Sequence, residues 1–206
     1  MSTEKAIADF WFDPSCPYTW ITSRWLVEVA KVRPVEVRWH VMSLSVLNEG
    51  LEDDPEGDPE GYMWVPVRIC AAVQQEYGQE RLGRLYTAMW THGRERGAGE
   101  WLGALHDSLT AAGLPPELAE VGQTSAYDDA VRASHDEGMA LIGKAGTPIV
   151  AVTAGEERIP FFGPVLSRIP EGEQAGRLWD GTLLVSGTPG FHELKGRPHE
   201  EPRLGG

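Results

Sequence analysis

Cys16 is the residue in this chain best placed to do chemistry. It lies in Asp13-Pro14-Ser15-Cys16-Pro17-Tyr18-Thr19-Trp20, between the apolar stretch Ala6 to Phe12 and a helical pattern that begins at Trp20. Pro17 suits the first position of a helix, where its missing N–H would have no partner anyway, so Cys16 falls at or beside the N-cap. Unpaired amides and the positive end of the helix dipole favour a thiolate there. A thiol so placed ionises more readily than a free cysteine, and the thiolate is the nucleophile. A dithiol redox pair would put its second cysteine three residues on, and that residue is Thr19. The chemistry open to Cys16 is therefore that of a single thiol, with exchange completed by an external one.

Thr19 lies one helical turn on, where its hydroxyl can donate a hydrogen bond to the Cys16 sulfur. Such a donor stabilises a thiolate without resolving a mixed disulfide. The alternative for Thr19 is a helix-facing residue with no catalytic part. The other cysteine, Cys70, lies in Val67-Arg68-Ile69-Cys70-Ala71-Ala72-Val73, a small-residue helical stretch where a packed thiol is expected, a remote resolving thiol brought near Cys16 only by folding being the alternative. The two cysteines and six histidines form no metal-ligand spacing, so no metal is expected. His92, His106 and His135 are single histidines on helical patterns, read as surface or packing residues.

The elements that must position Cys16 follow from periodicity. Ala6 to Phe12 is a near-continuous apolar strand, suited to a sheet covered on both faces. The spacing predicts a helix over 17–33, with Ile21, Trp25, Val29 and Val32 along one stripe. Val35 to Val41 alternates apolar and polar residues, a second strand. Together these make a right-handed βαβ unit. Asn48 to Gly61 is acidic, with Pro55 and Pro59, and reads as an exposed loop. Helices are then expected over Val65–Tyr77, Glu80–His92, Glu100–Ala112, Pro116–Val121 and Ser125–Leu141, with turns at Gly78, Gly93 to Gly99, Gly113 and Gly143. Strands return at Ile149–Val152 and Arg158–Phe162 around a hairpin turn at Ala154–Glu157. A last helix is expected over Val165–Leu178, interrupted or re-started near Pro170. The order βαβ, helices, ββα divides the chain into 1–45, a helical insertion over 46–144, and 145–206.

The 206 residues, 41% of them hydrophobic, can bury one good core or one core plus an inserted subdomain. A net charge of −13 argues against nucleic acid, which requires a basic surface. No stretch approaches the roughly 20 apolar residues of a membrane span. Met1 to Lys5 is polar, so no secretory signal is read and a cytoplasmic location is expected.

Several segments in combination carry a family resemblance. They are Phe10 to Pro14, Cys16-Pro17, Trp20 to Trp25, His40 to Leu44, Leu85 to Met89, Ala126 to Asp128, Ser134-His135, Gly146-Thr147-Pro148 and Phe161 to Ser167. This set resembles the DsbA-family thioredoxin-like proteins of actinobacteria, and within them the mycothiol-dependent reductases described as nitroreductases. The resemblance implies an α/β thioredoxin fold with a large inserted helical subdomain. It also implies a cytosolic, homodimeric oxidoreductase working with mycothiol or another small thiol on a small-molecule electrophile or disulfide. By the same resemblance Cys16 and Thr19 occupy the catalytic positions, and Pro17, Tyr18, Thr147 and Pro148 those that bind the thiol. Pro148 would be the cis proline beside the active cysteine, leaving the preceding backbone free to pair with an extended substrate or thiol. Asn48, Tyr62 and Trp64 read as substrate contacts or, equally, as loop packing.

That family carries Cys-Pro-Trp-Cys where this chain has Cys16-Pro17-Tyr18-Thr19. Pro17-Tyr18-Thr19-Trp20 also resembles the active-site run of kappa-class glutathione transferases and related isomerases. There a hydroxyl at the first position activates a bound thiol cofactor; Cys16 in its place favours covalent exchange. A kappa-like S-transferase or isomerase is the alternative expectation, together with a binding protein on a fold that has lost its redox role.

Overall fold

A computed structural model describes residues 5–53, 55–96, 101–143 and 145–204. The elements in chain order are β1 (Ala6–Phe12), α1 (Pro17–Val32), β2 (Val35–Val41), α2 (Leu44–Leu47) and α3 (Trp64–Arg96). They continue with α4 (Trp101–Ala111), a 3-10 helix (Pro116–Gln123), α5 (Asp128–Ile142), β3 (Ile149–Ala154), β4 (Glu157–Phe162) and α6 (Gly172–Ser186). The turn expected over Gly93 to Gly99 does not begin at Gly93, since α3 continues through Arg96; residues 97–100 lie outside the described residues.

The strands form one sheet in the order β2-β1-β3-β4. β1 and β2 run in the same direction: the Ala6 amide donates to Pro34 O at one end, and the Met42 amide to Phe12 O at the other, both at 2.9 Å. β3 and β4 are antiparallel, with Ile149 opposite Phe162 and Ala154 opposite Glu157. Gly155, at φ +62°, makes the hairpin turn between them. The central strands are buried on both faces, as their apolar runs require: Phe10, Trp11, Phe12 and Ile149 to Ala151 have no exposed surface. Edge strand β2 alternates, with Val35 and Val41 inside and Glu36 and Arg38 outside. This is the thioredoxin fold opened between its β1-α1-β2 and β3-β4-α6 halves.

The chain divides into two compact units. One comprises Met1–Phe10, Cys16–Arg38 and Met139–Gly206; the other comprises Trp11–Ser15 and Trp39–Gly138. In the first, α1 packs on α6. Ile21, Trp25, Leu26 and Val29 are fully buried, each aliphatic side chain stabilising by roughly 1.5–3 kcal/mol. The Trp25 indole donates to Ala175 O at 3.1 Å, and its ring lies 6.0 Å from that of Trp179. Arg33, at the C-cap of α1, donates to both Asp180 and Glu173 on α6.

In the second unit α3 is two helices joined at Gly78, whose φ of 80° and ψ of −179° only glycine adopts readily. Its core sets Phe12 against Tyr86 with ring centroids 4.0 Å apart, and Trp39 lies edge-on to both. Gly83 admits the Trp39 indole: a Cβ there would meet Nε1 at 2.4 Å.

One expected helix is displaced. Val165 to Pro170 is not helical, and α6 starts only at Gly172 and runs to Ser186. Pro170 supplies no N–H and disfavours the helical conformation at Ile169, so the helix begins after it with Glu171 as N-cap.

Candidate active site

Cys16 is the N-cap of α1, with φ −80° and ψ 116°, and Pro17 follows at the first helical position. The Trp20 amide donates to Cys16 O at 3.1 Å, closing the first helical turn. The thiol is half-buried, makes no disulfide and gives no side-chain cap to the helix. Thr19, one turn on, is fully buried.

The Thr19 hydroxyl lies 3.0 Å from the hydroxyl of Thr147, itself 7% exposed. Thr147 precedes Pro148 across a cis peptide bond at the head of β3. The Gly163 amide donates to Pro148 O at 2.9 Å, and the next bond, Gly163–Pro164, is also cis. Pro164 O in turn accepts from the Thr22 hydroxyl at 2.8 Å. Two threonines of α1 thus tie the helix to both proline turns of the first unit. Cys16, Pro17, Tyr18, Thr19, Thr147 and Pro148 all belong to this unit.

Tyr18 points elsewhere than the threonines do. Its hydroxyl donates to Glu200 O at 3.1 Å, and its ring lies 5.4 Å from His199. Trp20 carries the Arg24 guanidinium 4.2 Å above its ring.

Asn48, Tyr62 and Trp64 belong to the second unit. Asn48 ends α2 and donates to Glu56 at 3.3 Å. Tyr62 is 61% exposed, and its amide donates to the Asp58 carboxylate at 2.8 Å. Trp64 lies 5.1 Å from the Arg68 guanidinium and 5.4 Å from that of Arg132. Those cations are paired with Asp128 and Glu49 respectively.

Asp13 is not marked by its residue type or spacing, yet it directly follows β1, three positions before Cys16, and is fully buried. Its Oδ1 accepts from the Ser15 amide and its Oδ2 from the Leu44 amide, each at 2.7 Å. Burial pushes its carboxyl up to about 7, against the two amides that favour the charged form. The Trp90 indole donates to Pro14 O at 3.0 Å. The residues leading into Cys16 are therefore held by one carboxylate and one indole. The signal that could have found Asp13 is an acid set directly between the apolar run Phe10-Trp11-Phe12 and the Cys16-Pro17 helix start.

Cys70 is fully buried, with its sulfur 3.9 Å from that of Met89, and burial pushes its thiol up. It is a core residue. His135 is also buried, and its Nδ1 accepts from the Ser43 amide at 3.3 Å, so that nitrogen carries no proton. Among the described residues no three His, Cys, Asp or Glu side chains cluster as metal ligands. No described helix is long and apolar enough to cross a membrane.

A family model described as mycothiol-dependent nitroreductase Rv2466c matches residues 15–196. An uncharacterized Mycobacterium tuberculosis protein, Rv2286c, is 31% identical over 199 residues, covering 91% of this chain and 80% of that protein. Among solved structures the chain is similar to a probable DsbA oxidoreductase, SCO1869, from Streptomyces coelicolor. The TM-score is 0.56 at 17% identity, over 93% of this chain and 100% of that one. It is also similar to a putative protein-disulfide isomerase from Pseudomonas syringae, with a TM-score of 0.52 at 18% identity, over 88% and 94% of the two chains. The structural likenesses carry the DsbA-like thioredoxin fold.

Proposed function

The chain belongs to the family of mycothiol-dependent nitroreductase Rv2466c, and from that premise we propose a thiol-dependent oxidoreductase or thioltransferase with Cys16 as its single nucleophile. The observation that carries this reading is Thr19, which stands where a second thiol would and has its hydroxyl engaged by Thr147 in a buried pair. No partner for an internal disulfide stands at that place in the helix.

The cycle that follows is thiol exchange. The Cys16 thiolate attacks one sulfur of a disulfide R–S–S–R′; a Cys16–S–R bond forms, the S–S bond breaks, and R′S⁻ leaves and takes a proton from water. A mycothiol thiolate then attacks the R sulfur of the mixed disulfide, releasing M–S–S–R and restoring the Cys16 thiolate. Electrons balance between the two small thiols, and the protein ends as it began. Pro17, Tyr18, Thr147 and Pro148 are the residues we assign to holding the small thiol beside Cys16. Asn48, Tyr62 and Trp64 are assigned to the electrophile. A cytosolic homodimer is the form the resemblance implies.

Incubation with oxidised mycothiol followed by intact-mass measurement tests the mechanism. The expected product carries one mycothiol adduct, removed by reduced mycothiol and absent in Cys16→Ser. A folded wild-type protein that gains no adduct, or a Cys16→Ser variant that still gains one, overturns it.

A further inference from the structure

The segment after α6 returns to the start of α1. The Tyr18 hydroxyl donates to Glu200 O at 3.1 Å, the His199 ring lies 5.4 Å from that of Tyr18, and the Trp20 indole donates to Leu204 O at 3.5 Å. A fourth contact anchors the segment to the loop before α6, where the Arg203 amide donates to Ser167 O at 2.7 Å. Tyr18 is two residues past Cys16, about 3 Å of helix rise. Tyr18 and Trp20 leave that first turn roughly 200° apart around the axis. One five-residue stretch, 200–204, therefore engages both sides of the helix start. Residues 197–204 lie beyond the part of the chain matched by the family model, which ends at 196.

We propose that residues 197–204 form a strap over the start of α1 that fixes the size class of substrate: small thiols and small disulfides or electrophiles reach Cys16, and polypeptide thiols and disulfides do not. This rests on Cys16 being the nucleophile proposed above. A polypeptide laid across the flank of α1 must displace Glu200 and Leu204 from Tyr18 and Trp20. A small thiol needs only the Cys16 sulfur and the four residues assigned to holding it, Pro17, Tyr18, Thr147 and Pro148. Every hydrogen bond of the strap named here is made by its main chain, so its hold depends on its path and only weakly on its side chains.

The test compares Cys16 labelling by two reagents of one chemistry and different size, N-ethylmaleimide and a maleimide on a long polyethylene glycol chain. Each adds the Cys16 sulfur across the maleimide double bond, with the thiol proton ending on the adjacent carbon. Wild type is compared with a chain truncated after Gly196 and with Arg203→Pro, which keeps the full length but removes the amide that binds Ser167 O. Fully buried Cys70 stays unlabelled in any folded variant, which reports folding in the same experiment. A strap held by three partly exposed hydrogen bonds opens unaided in roughly one molecule in ten to one in a hundred. Truncation should therefore raise the rate with the large reagent about ten- to hundredfold and change the small one by less than about twofold. Arg203→Pro should fall between.

If the two rates keep their wild-type ratio in both variants, the strap does not select by size and the proposal falls while Cys16 remains a nucleophile. If the two rates rise together, the segment alters the thiol and not its access, which also overturns it. A Cys16 that reacts with neither reagent in any folded form removes the nucleophile, and the proposed function falls with the strap.

Discussion

The hydroxyls of Thr19 and Thr147 meet at 3.0 Å in the interior, joining the first turn of α1 to the residue before Pro148. Replacing either residue by valine keeps the shape and removes one hydroxyl. Each single variant should lose about 1–3 kcal/mol, since the remaining hydroxyl stays buried without this bond. The double variant should lose less than the sum, with a coupling of about 1 kcal/mol. Urea denaturation of the four proteins checks this, and additive losses would mean the two hydroxyls do not interact.

Thr19→Cys should create an internal disulfide with Cys16, because residues three apart at a helix start lie on one face. Intact mass before and after reduction should differ by the two thiol hydrogens. Oxidised mycothiol should then leave no lasting adduct, since the introduced thiol would displace it. A folded variant that forms no disulfide would place the Cys16 thiol elsewhere than at the N-cap.

Asp13 makes stability fall as pH rises toward neutrality. The folded protein holds its proton up to about 7, while the unfolded chain releases it near 3.8. The contribution of this group is fully present below 3.8 and gone above about 7, and at 1.36 kcal/mol per pH unit it amounts to roughly 4 kcal/mol. His135 has the opposite sign: desolvation lowers its pKa from 6.5, so its contribution is present above 6.5 and lost as pH falls through the lowered value. Asp13→Asn should cost about 1–3 kcal/mol outright, because one of two amide donors then faces an NH₂. It should also remove the decline toward neutral pH and leave the acid-side loss from His135. Denaturation midpoints across the range from about pH 4 to pH 8 decide it, and an unchanged slope would mean that Asp13 is not the group titrating.

Gly83→Ala should destabilise by about 1–3 kcal/mol through overpacking. The added carbon would meet Trp39 Nε1 at 2.4 Å and Cδ1 at 2.7 Å, and that ring is itself boxed by Phe12 and Tyr86. A thermal midpoint within error of wild type would show that Trp39 can move aside.

Local chemistry makes much of this chain legible. Pro17 after Cys16 marks the helix start, Gly78 the break in α3 and Gly155 the hairpin, because each needs a backbone state that one residue type supplies. Apolar runs against alternation separate the central strand β1 from the edge strand β2. The last helix begins later than its periodicity indicates, because the prolines before and within Val165 to Leu178 override that pattern.

The sequence by itself determined a single candidate nucleophile at a helix N-cap, with threonine in place of a second thiol, since both follow from residue type and spacing along one helix. Tertiary structure alone decided what surrounds them. Thr19 meets a residue 128 positions away, Tyr18 meets one 182 away, and Asp13 is dry. Partners that distant leave no periodic trace in the chain, because periodicity records which face of an element is buried and not what is buried against it.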